Sequence, residues 1–116
     1  MRIKMNKWVI PGALLAGWAV GHADVARNVK LENARVRVSA LDYEPGEPRE
    51  KSIRAADQVI VFLNDSRYAR LDPETGAKEI RTRKSGDVIW HYKGEVAPVL
   101  TNLDKKTYRT LVIELK

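Results

Sequence analysis

The chain has 116 residues, of which 44% are hydrophobic, and its 21 Lys and Arg against 15 Asp and Glu give a formal net charge of +6. This length and hydrophobic content are typical of one ordinary globular domain. The chain has no cysteine and only two histidines, His22 and His91. The composition therefore excludes disulfides, thiolate metal sites, a cysteine nucleophile and a multi-histidine metal site within one chain.

The first 23 residues have the pattern of a secretory signal peptide. Residues 1–7 carry three basic residues and no acidic one, residues 8–20 are uncharged and mostly apolar, and a small-x-small motif ends at Ala23. As a helix, the apolar stretch would be about 20 Å long, shorter than the ~30 Å hydrocarbon core of a membrane. We therefore expect a periplasmic or secreted protein, cleaved after Ala23. An uncleaved membrane anchor, or a start codon placed too far upstream of a cytoplasmic domain, are the alternatives.

Half of the net charge belongs to this leader. Its three basic residues leave 18 basic against 15 acidic residues in the mature chain, 24–116, a net charge of +3. The remaining positive charges are dispersed except for the run Arg81, Arg83 and Lys84, which we interpret as a solvated strand edge. No recognition-helix motif accompanies them, so we expect no nucleic-acid partner and no stable membrane insertion after cleavage.

The mature chain has the pattern of an all-β domain. Val36 and Val38 alternate with polar residues, as in a half-buried strand, whereas the continuous apolar run at 58–63 is typical of a strand buried on both faces. Turn signals at 72–76 and 85–87 separate short segments, and no amphipathic helix of useful length follows residue 30. Strands are predicted at 35–39, 58–63, 67–71, 78–83, 88–91, 97–101 and 107–115. We expect a sandwich or small barrel over 32–116, with 24–31 as a linker.

A spaced set of glycine and polar residues runs through this domain. Gly46 is followed by Ser52, Arg54 and Gln58, and further along stand Gly86-Asp87, Gly94 and Asn102. This spacing resembles the two motifs of the cupin superfamily, whose members are small jelly-roll barrels. The resemblance covers about 32–116 and implies a cupin-type jelly-roll β-barrel.

The positions at which cupins hold a metal are all changed in this chain. The resemblance places Ser52, Arg54 and Gln58 at three ligand positions and Ala97 or Pro98, depending on a one-residue shift, at the fourth. The family's usual set is three imidazoles and one carboxylate. Arginine stays protonated and repels a divalent cation. The resemblance therefore implies the fold, and we expect neither metal nor cofactor.

Arg54 is the most informative of these substitutions. If it points into the barrel as the family's second histidine does, its buried guanidinium needs a partner. That partner is either internal, such as Asp57 or Glu50, or a bound carboxylate or phosphate held bidentately. Ser52 and Gln58 could hydrogen-bond a ligand or satisfy neighbouring protein groups.

Two neighbouring residues on a predicted strand complete the candidate ligand-binding set. Trp90 and His91 must point to opposite faces of the strand. His91 could act as an acid or base, or be a structural residue, and Trp90 could stack a ligand or pack at the rim. No Ser-His-acid spacing supports a nucleophile, so we assign no catalytic residue.

The sequence thus favours an exported, metal-free, cupin-like domain that binds a small anionic ligand in its barrel, as a homodimer. Ser52, Arg54, Gln58, Trp90 and His91 are the expected ligand-binding residues. One alternative is a metal-independent enzyme of isomerase or lyase type that uses His91 as acid or base. Another is a non-catalytic structural or interaction barrel filled by its own side chains.

Overall fold

The computed structural model describes residues 25–72 and 74–116. Every regular element in this part of the chain is a β-strand. The strands are β1 Ala26–Glu32, β2 Val36–Tyr43, β3 Pro48–Arg49, β4 Ser52–Ile53, β5 Gln58–Phe62, β6 Ser66–Leu71, β7 Lys78–Arg83, β8 Val88–His91, β9 Val96–Ala97, β10 Val99–Asn102 and β11 Tyr108–Leu115. None of the described residues forms a helix able to cross a membrane.

Two antiparallel sheets enclose the core. One has five strands in the order β1-β2-β11-β5-β8, the other has four in the order β3-β10-β6-β7, and β4 pairs with β9 in a short ribbon. The expected all-β jelly-roll architecture is confirmed.

Strand alternation selects which side chains enter the core. In β5 the side chains of Gln58, Ile60 and Phe62 are buried between the sheets, whereas the two valines between them point the other way and are half-buried. Phe62 and Ile60 lie beside Thr110 and Val112 of β11. Phe62 is buried in the hydrophobic cluster, as the prediction of a buried strand at 58–63 implies.

Four aromatic rings make up much of that cluster. Tyr43 stacks on Tyr108 with ring centroids 4.6 Å apart, and the centroid of Tyr68 lies 6.1 Å from those of both Phe62 and Tyr108. Because Tyr68 belongs to the four-stranded sheet and the others to the five-stranded one, these rings join the two layers.

The loop before β8 shows how turn chemistry positions the site. Gly86 has a φ of 92°, a backbone conformation that glycine adopts without strain. Its amide donates to the Phe62 carbonyl at 2.7 Å, and the Asp87 carboxylate accepts from the Lys84 amide at 2.8 Å. The turn thereby sets β8 against β5 in the register that opposes His91 to Gln58.

The structure differs from the sequence prediction at the start of the domain. Most of the stretch expected to be a linker, 24–31, belongs to β1, which pairs with β2 along its length through a register shift between Val29 and Leu31. Every residue of β1 is exposed, so its hydrophobic pattern is weak and its pairing depends on backbone hydrogen bonds at the sheet edge. The predicted signal peptide, 1–23, lies outside the described residues.

Candidate functional site

A cavity of about 240 Å³ lies between the inner faces of the two sheets. Its wall contains five arginines, and no Asp or Glu of the described chain is among the lining residues. The arginines are Arg49, Arg54, Arg70, Arg81 and Arg83. Aromatic side chains supply much of the remaining wall. The cavity is therefore cationic and partly apolar, which favours an anion with a hydrophobic body.

Arg54 is held by its backbone and left free at its guanidinium. Its amide donates to the Glu95 carbonyl, and its carbonyl accepts from the Gly94 amide, both at 2.9 Å. The residue is only 9% exposed, yet within the described chain its guanidinium has no ion pair and its Nε has no hydrogen-bond partner. Burial, followed by the charge of Arg49, lowers the Arg54 pKa below its ordinary value. An internal pair with Asp57, one of the two partners considered, is not made.

Arg49 reaches into the same cavity from β3. Its guanidinium donates to the Pro98 carbonyl at 2.6 Å and to the Tyr43 hydroxyl at 3.3 Å, and its Nε is buried without a partner among the described residues. Neither acceptor carries a negative charge, so the cationic charge of Arg49 is not neutralised by these bonds.

The cavity collects hydrogen-bond donors that the protein's own groups do not satisfy. Six buried side-chain polar atoms in the described chain lack a partner, and four of them belong to residues that line this cavity. They are Arg49 Nε, Arg54 Nε, the Tyr108 hydroxyl and the Thr110 hydroxyl. Burial raises the Tyr108 pKa well above its usual range, so this hydroxyl keeps its proton and remains a donor. Buried polar groups normally have partners, so a donor surplus marks a place for an acceptor.

The edge strand β7 contributes two more arginines. The predicted edge position is confirmed, since β7 lies at the edge of its sheet. The predicted solvation is wrong for Arg81 and Arg83, whose side chains turn inward and are half-buried. Arg83 Nε donates to the Tyr68 hydroxyl at 3.2 Å, and its guanidinium lies 5.7 Å from the Phe62 ring centroid. Arg81 has an acidic partner, Glu79, at 3.1 Å. Arg83 forms no ion pair with a carboxylate in the described chain, which leaves it, like Arg49 and Arg54, a cation open to a ligand.

His91 forms an imidazole–carboxylate pair beside the arginines. Its Nδ1 lies 2.9 Å from Glu95 Oε1. An ionised carboxylate only accepts hydrogen bonds, so Nδ1 carries the proton and Nε2 keeps its lone pair. Burial lowers the pKa of His91 below its ordinary 6.5, against the opposing effect of the Glu95 hydrogen bond. The same hydrogen bond lowers the pKa of Glu95. His91 is therefore neutral near pH 7.

The residues at the cupin metal positions line a second cavity, of about 180 Å³. Ser52 and Ala97 are direct cross-strand partners in the ribbon, and Arg54 and Gln58 line the same space. A hydroxyl, a guanidinium, an amide and a methyl group do not form a divalent-metal site. Among the described residues no three His, Cys, Asp or Glu side chains cluster either. The residues present do not fit the metal that the fold family implies.

The predicted ligand-binding residues thus divide between two spaces. Trp90 and His91 line the first cavity, Ser52 and Gln58 line the second, and Arg54 lines both. Trp90 and His91 point to opposite faces of β8, as expected from their adjacency: His91 pairs with the inward-facing Gln58, and Trp90 is 41% exposed.

Sequence reasoning missed most of the first cavity's wall. It assigned no ligand-binding role to Glu95, the partner of His91, or to the lining residues Tyr43, Arg49, Tyr68, Arg70, Arg81, Arg83, Tyr108 and Thr110. A signal was present: the period of two places Tyr68 and Arg70 on one face of the segment 66–71, and Arg81 and Arg83 on one face of the segment 78–83.

The facing sheets and their strand order define a double-stranded β-helix, or jelly-roll, protein. The structure is similar to a cupin domain from Bordetella pertussis, with a TM-score of 0.71 and 18% identity over 84% of this chain and 99% of that one. An RmlC-like cupin-family protein from Methanocaldococcus jannaschii gives a TM-score of 0.62 and 10% identity over 90% and 92% of the two chains. A protein with a double-stranded β-helix domain from Klebsiella pneumoniae gives a TM-score of 0.62 and 15% identity over 84% of this chain and 81% of that one.

The chain has the cupin fold. The resemblance drawn from its glycine and polar spacing is confirmed at the level of the fold. No protein-family model and no curated protein matches the sequence.

Proposed function

We propose that the protein is an exported domain that binds a small organic anion in the first cavity, without a metal. The observation that carries the proposal is the excess of donors over acceptors. Five arginines and no described carboxylate line the cavity, and four buried donor groups there lack a partner among the described residues. Among the described residues, the lining arginines without a carboxylate partner are Arg49, Arg54 and Arg83, so these three are the proposed charge-binding group.

The shape of the cavity limits the ligand. A volume of about 240 Å³ is below the roughly 300–1,000 Å³ typical of sites for drug-sized molecules. Aromatic rings such as Phe62 and Tyr108 offer apolar contacts, and guanidinium groups suit carboxylate or phosphate oxygens. The proposed ligand is therefore a small carboxylate or phosphate ester with an apolar part. Ser52 and Gln58 lie in the second cavity and have a supporting role around Arg54.

Isothermal titration with acetate, benzoate, inorganic phosphate and phenyl phosphate tests this proposal. We expect benzoate to bind more tightly than acetate, or phenyl phosphate to bind more tightly than inorganic phosphate. Arg54→Gln should weaken the tighter binding at least about tenfold. Arg67→Gln is the matched control, because Arg67 is an exposed arginine of β6 that does not line the cavity. Binding of no probe, or equal binding by the Arg54 variant, would overturn the proposal.

The His91–Glu95 pair favours a second candidate function, that of an acid–base enzyme acting on the bound anion. The Nε2 lone pair of His91 would take a proton from the carbon next to the carbonyl of a 2-oxo acid. The C–H electron pair would become the enolate, whose oxygen Arg54 would stabilise, and the proton would return to carbon. Proton NMR in D₂O tests this step with pyruvate and phenylpyruvate. Exchange above the buffer rate that His91→Gln abolishes would support it, and no exchange despite binding would leave a binding domain.

Export and the structural alternative have their own tests. The basic and apolar pattern of 1–23 supports export, and intact mass of protein from a periplasmic fraction would show cleavage after Ala23 or retention of the leader. A barrel filled by its own side chains is disfavoured by the cavity and by the missing Arg54–Asp57 pair.

A further inference from the structure

The arginines of the first cavity stand at different levels along the four-stranded sheet. Arg83 is the direct cross-strand partner of Ser66, whereas Arg70 lies further along the same strand, β6. The four residues from Ser66 to Arg70, at about 3.3 Å each, separate these two levels by roughly 13 Å. Arg49 stands at the level of Arg70, since both pair with Leu100. The sheet therefore places Arg49 and Arg83 towards opposite ends of the cavity.

The five-stranded sheet shows the same two ends. Gln58 and Phe62 are the first and last residues of β5, and both side chains face inward. The Arg83 guanidinium lies 5.7 Å from the Phe62 ring centroid. At the other end, His91 is the direct partner of Gln58. The pKa of His91 is lowered first by burial and then by the positive charge of Arg54, so Arg54 belongs to the His91 end.

One end of the cavity thus holds a cluster of arginines. The pKa of Arg54 is lowered first by burial and then by the charges of Arg49 and Arg70, so these three groups lie close together. Glu79 neutralises Arg70 at 2.7 Å. The charge of Glu95 opposes the lowering of the Arg54 pKa, but this carboxylate does not line the cavity. We call this the Arg54 end and the opposite one the Arg83 end.

Each end pairs an arginine with a tyrosine hydroxyl. Arg49 donates to the Tyr43 hydroxyl at 3.3 Å, and Arg83 donates to the Tyr68 hydroxyl at 3.2 Å. Each hydroxyl accepts that bond, so its own proton remains for an anion. The Tyr108 ring lies between them, with its centroid 4.6 Å from that of Tyr43 and 6.1 Å from that of Tyr68. Two polar, cationic ends are therefore joined by an aromatic wall.

We propose that the ligand of the first cavity is an elongated dianion, with one anionic group at the Arg54 end, a second at the Arg83 end and an apolar middle along Tyr108. This inference rests on the proposed function, because it concerns the same cavity. A monoanion would neutralise one end and leave a desolvated cation at the other, whereas an elongated dianion neutralises both. Two anionic groups on neighbouring atoms would reach one end only.

Isothermal titration of the purified protein near pH 7 with three benzene derivatives tests the inference. Terephthalate and phthalate have the same charge and formula, but only terephthalate carries its carboxylates at opposite ends of the ring. 4-Acetylbenzoate has the shape of terephthalate and a single carboxylate. We expect terephthalate to bind at least about tenfold more tightly than either of the others, because it alone gains a charged contact at each end.

A variant at the Arg83 end tests which residue carries the preference. Arg83→Gln should reduce the preference for terephthalate over 4-acetylbenzoate from about tenfold to about twofold or less. Arg67→Gln is the matched control and should keep the preference, because Arg67 is an exposed arginine of β6 outside the cavity wall. Circular dichroism shows whether each variant is folded. The comparison of the two isomers uses the unchanged protein, so it decides the matter even if a variant does not fold.

The outcomes separate this inference from the proposed function. Tighter binding of terephthalate that Arg83→Gln removes supports the elongated dianion. Equal binding of phthalate and terephthalate overturns the inference, as does equal binding of 4-acetylbenzoate and terephthalate or a preference that persists in Arg83→Gln. If benzoate still binds in those cases, the proposed anion site stands without the second charge. If neither benzoate nor any of the three probes binds, both the inference and the proposed function are overturned.

Discussion

Arg54→Met separates a structural from a ligand-binding role for the buried guanidinium. Arg54 is 9% exposed and has no ion pair within the described chain, so the ligand-free protein bears the cost of desolvating its charge. Replacing even a buried ion pair with apolar side chains of similar volume is often neutral or stabilising by about 1–4 kcal/mol. Because Arg54 borders two cavities that solvent reaches in part, we expect about 1–2 kcal/mol for this variant.

Urea and thermal unfolding, followed by circular dichroism, measure this change. For a domain of this size, 1 kcal/mol corresponds to about 4–8 °C, so the melting temperature should rise by roughly 5–15 °C. A bound anion should make the wild type more stable than Arg54→Met. At a concentration of 100 Kd the anion stabilises the wild type by about 2.7 kcal/mol and leaves the stability of the variant unchanged. Arg54→Lys keeps the charge, and we expect it to remain no more stable than the wild type.

A loss of stability in Arg54→Met would refute this reasoning. It would mean that the guanidinium is satisfied within the protein and holds the loop between β4 and β5 in place. If Arg54→Met is more stable than the wild type but still binds the anion equally well, the ligand-binding role of Arg54 is refuted, since the charge would then be unnecessary for the ligand.

Three other perturbations test separate parts of the account. The pKa of His91 lies below 6.5, and a nearby bound anion raises it, so the anion binds together with a proton. Sulfate affinity should therefore increase about fivefold from pH 7.5 to pH 5.5. In titrations at several pH values, His91→Gln should abolish this dependence. The same lowered pKa makes the unfolded state bind more protons, so the His91 contribution to stability falls below pH 6.5. Tyr108→Phe removes a hydroxyl that has no hydrogen-bond partner in the described part of the chain, so the free energy of unfolding should change by less than about 1 kcal/mol while benzoate affinity drops severalfold. A loss of stability above about 2 kcal/mol would reveal an internal hydrogen bond. Gly86→Ala forces a side chain to a φ of 92° and should destabilise by about 1–2 kcal/mol in urea unfolding, whereas an unchanged midpoint would show that the turn relaxes.

The strands were predictable where burial and turn chemistry act together. The apolar run at 58–63 and the alternation near the C-terminus correspond to β5 and β11, two neighbouring interior strands of the five-stranded sheet. The segments β1, β3 and β4 were not predicted, because β1 is exposed throughout and the other two are only two residues long. Such strands depend on pairing with distant partners, which no local pattern encodes.

The candidate site was predictable in its ingredients and not in its arrangement. Arg54 and His91 were identified because they stand out in a motif and in the composition. Arg49 and Arg83 belong to charged runs that look solvated in the sequence, yet each turns its guanidinium towards a buried tyrosine hydroxyl. A charged side chain that borders an internal cavity is distinguishable from a solvated one only when its neighbours are known.

The sequence by itself determined the all-β class, the turn positions and the apolar character of β5, since each depends on residue type and short spacing. The changed metal positions followed from the resemblance to cupins. Tertiary structure alone decided that five arginines share one cavity, that Arg54 forms no ion pair within residues 25–72 and 74–116, and that His91 meets Glu95. These features join segments far apart in the chain through strand register. A shift of one residue in that register would turn each inward side chain to the opposite face.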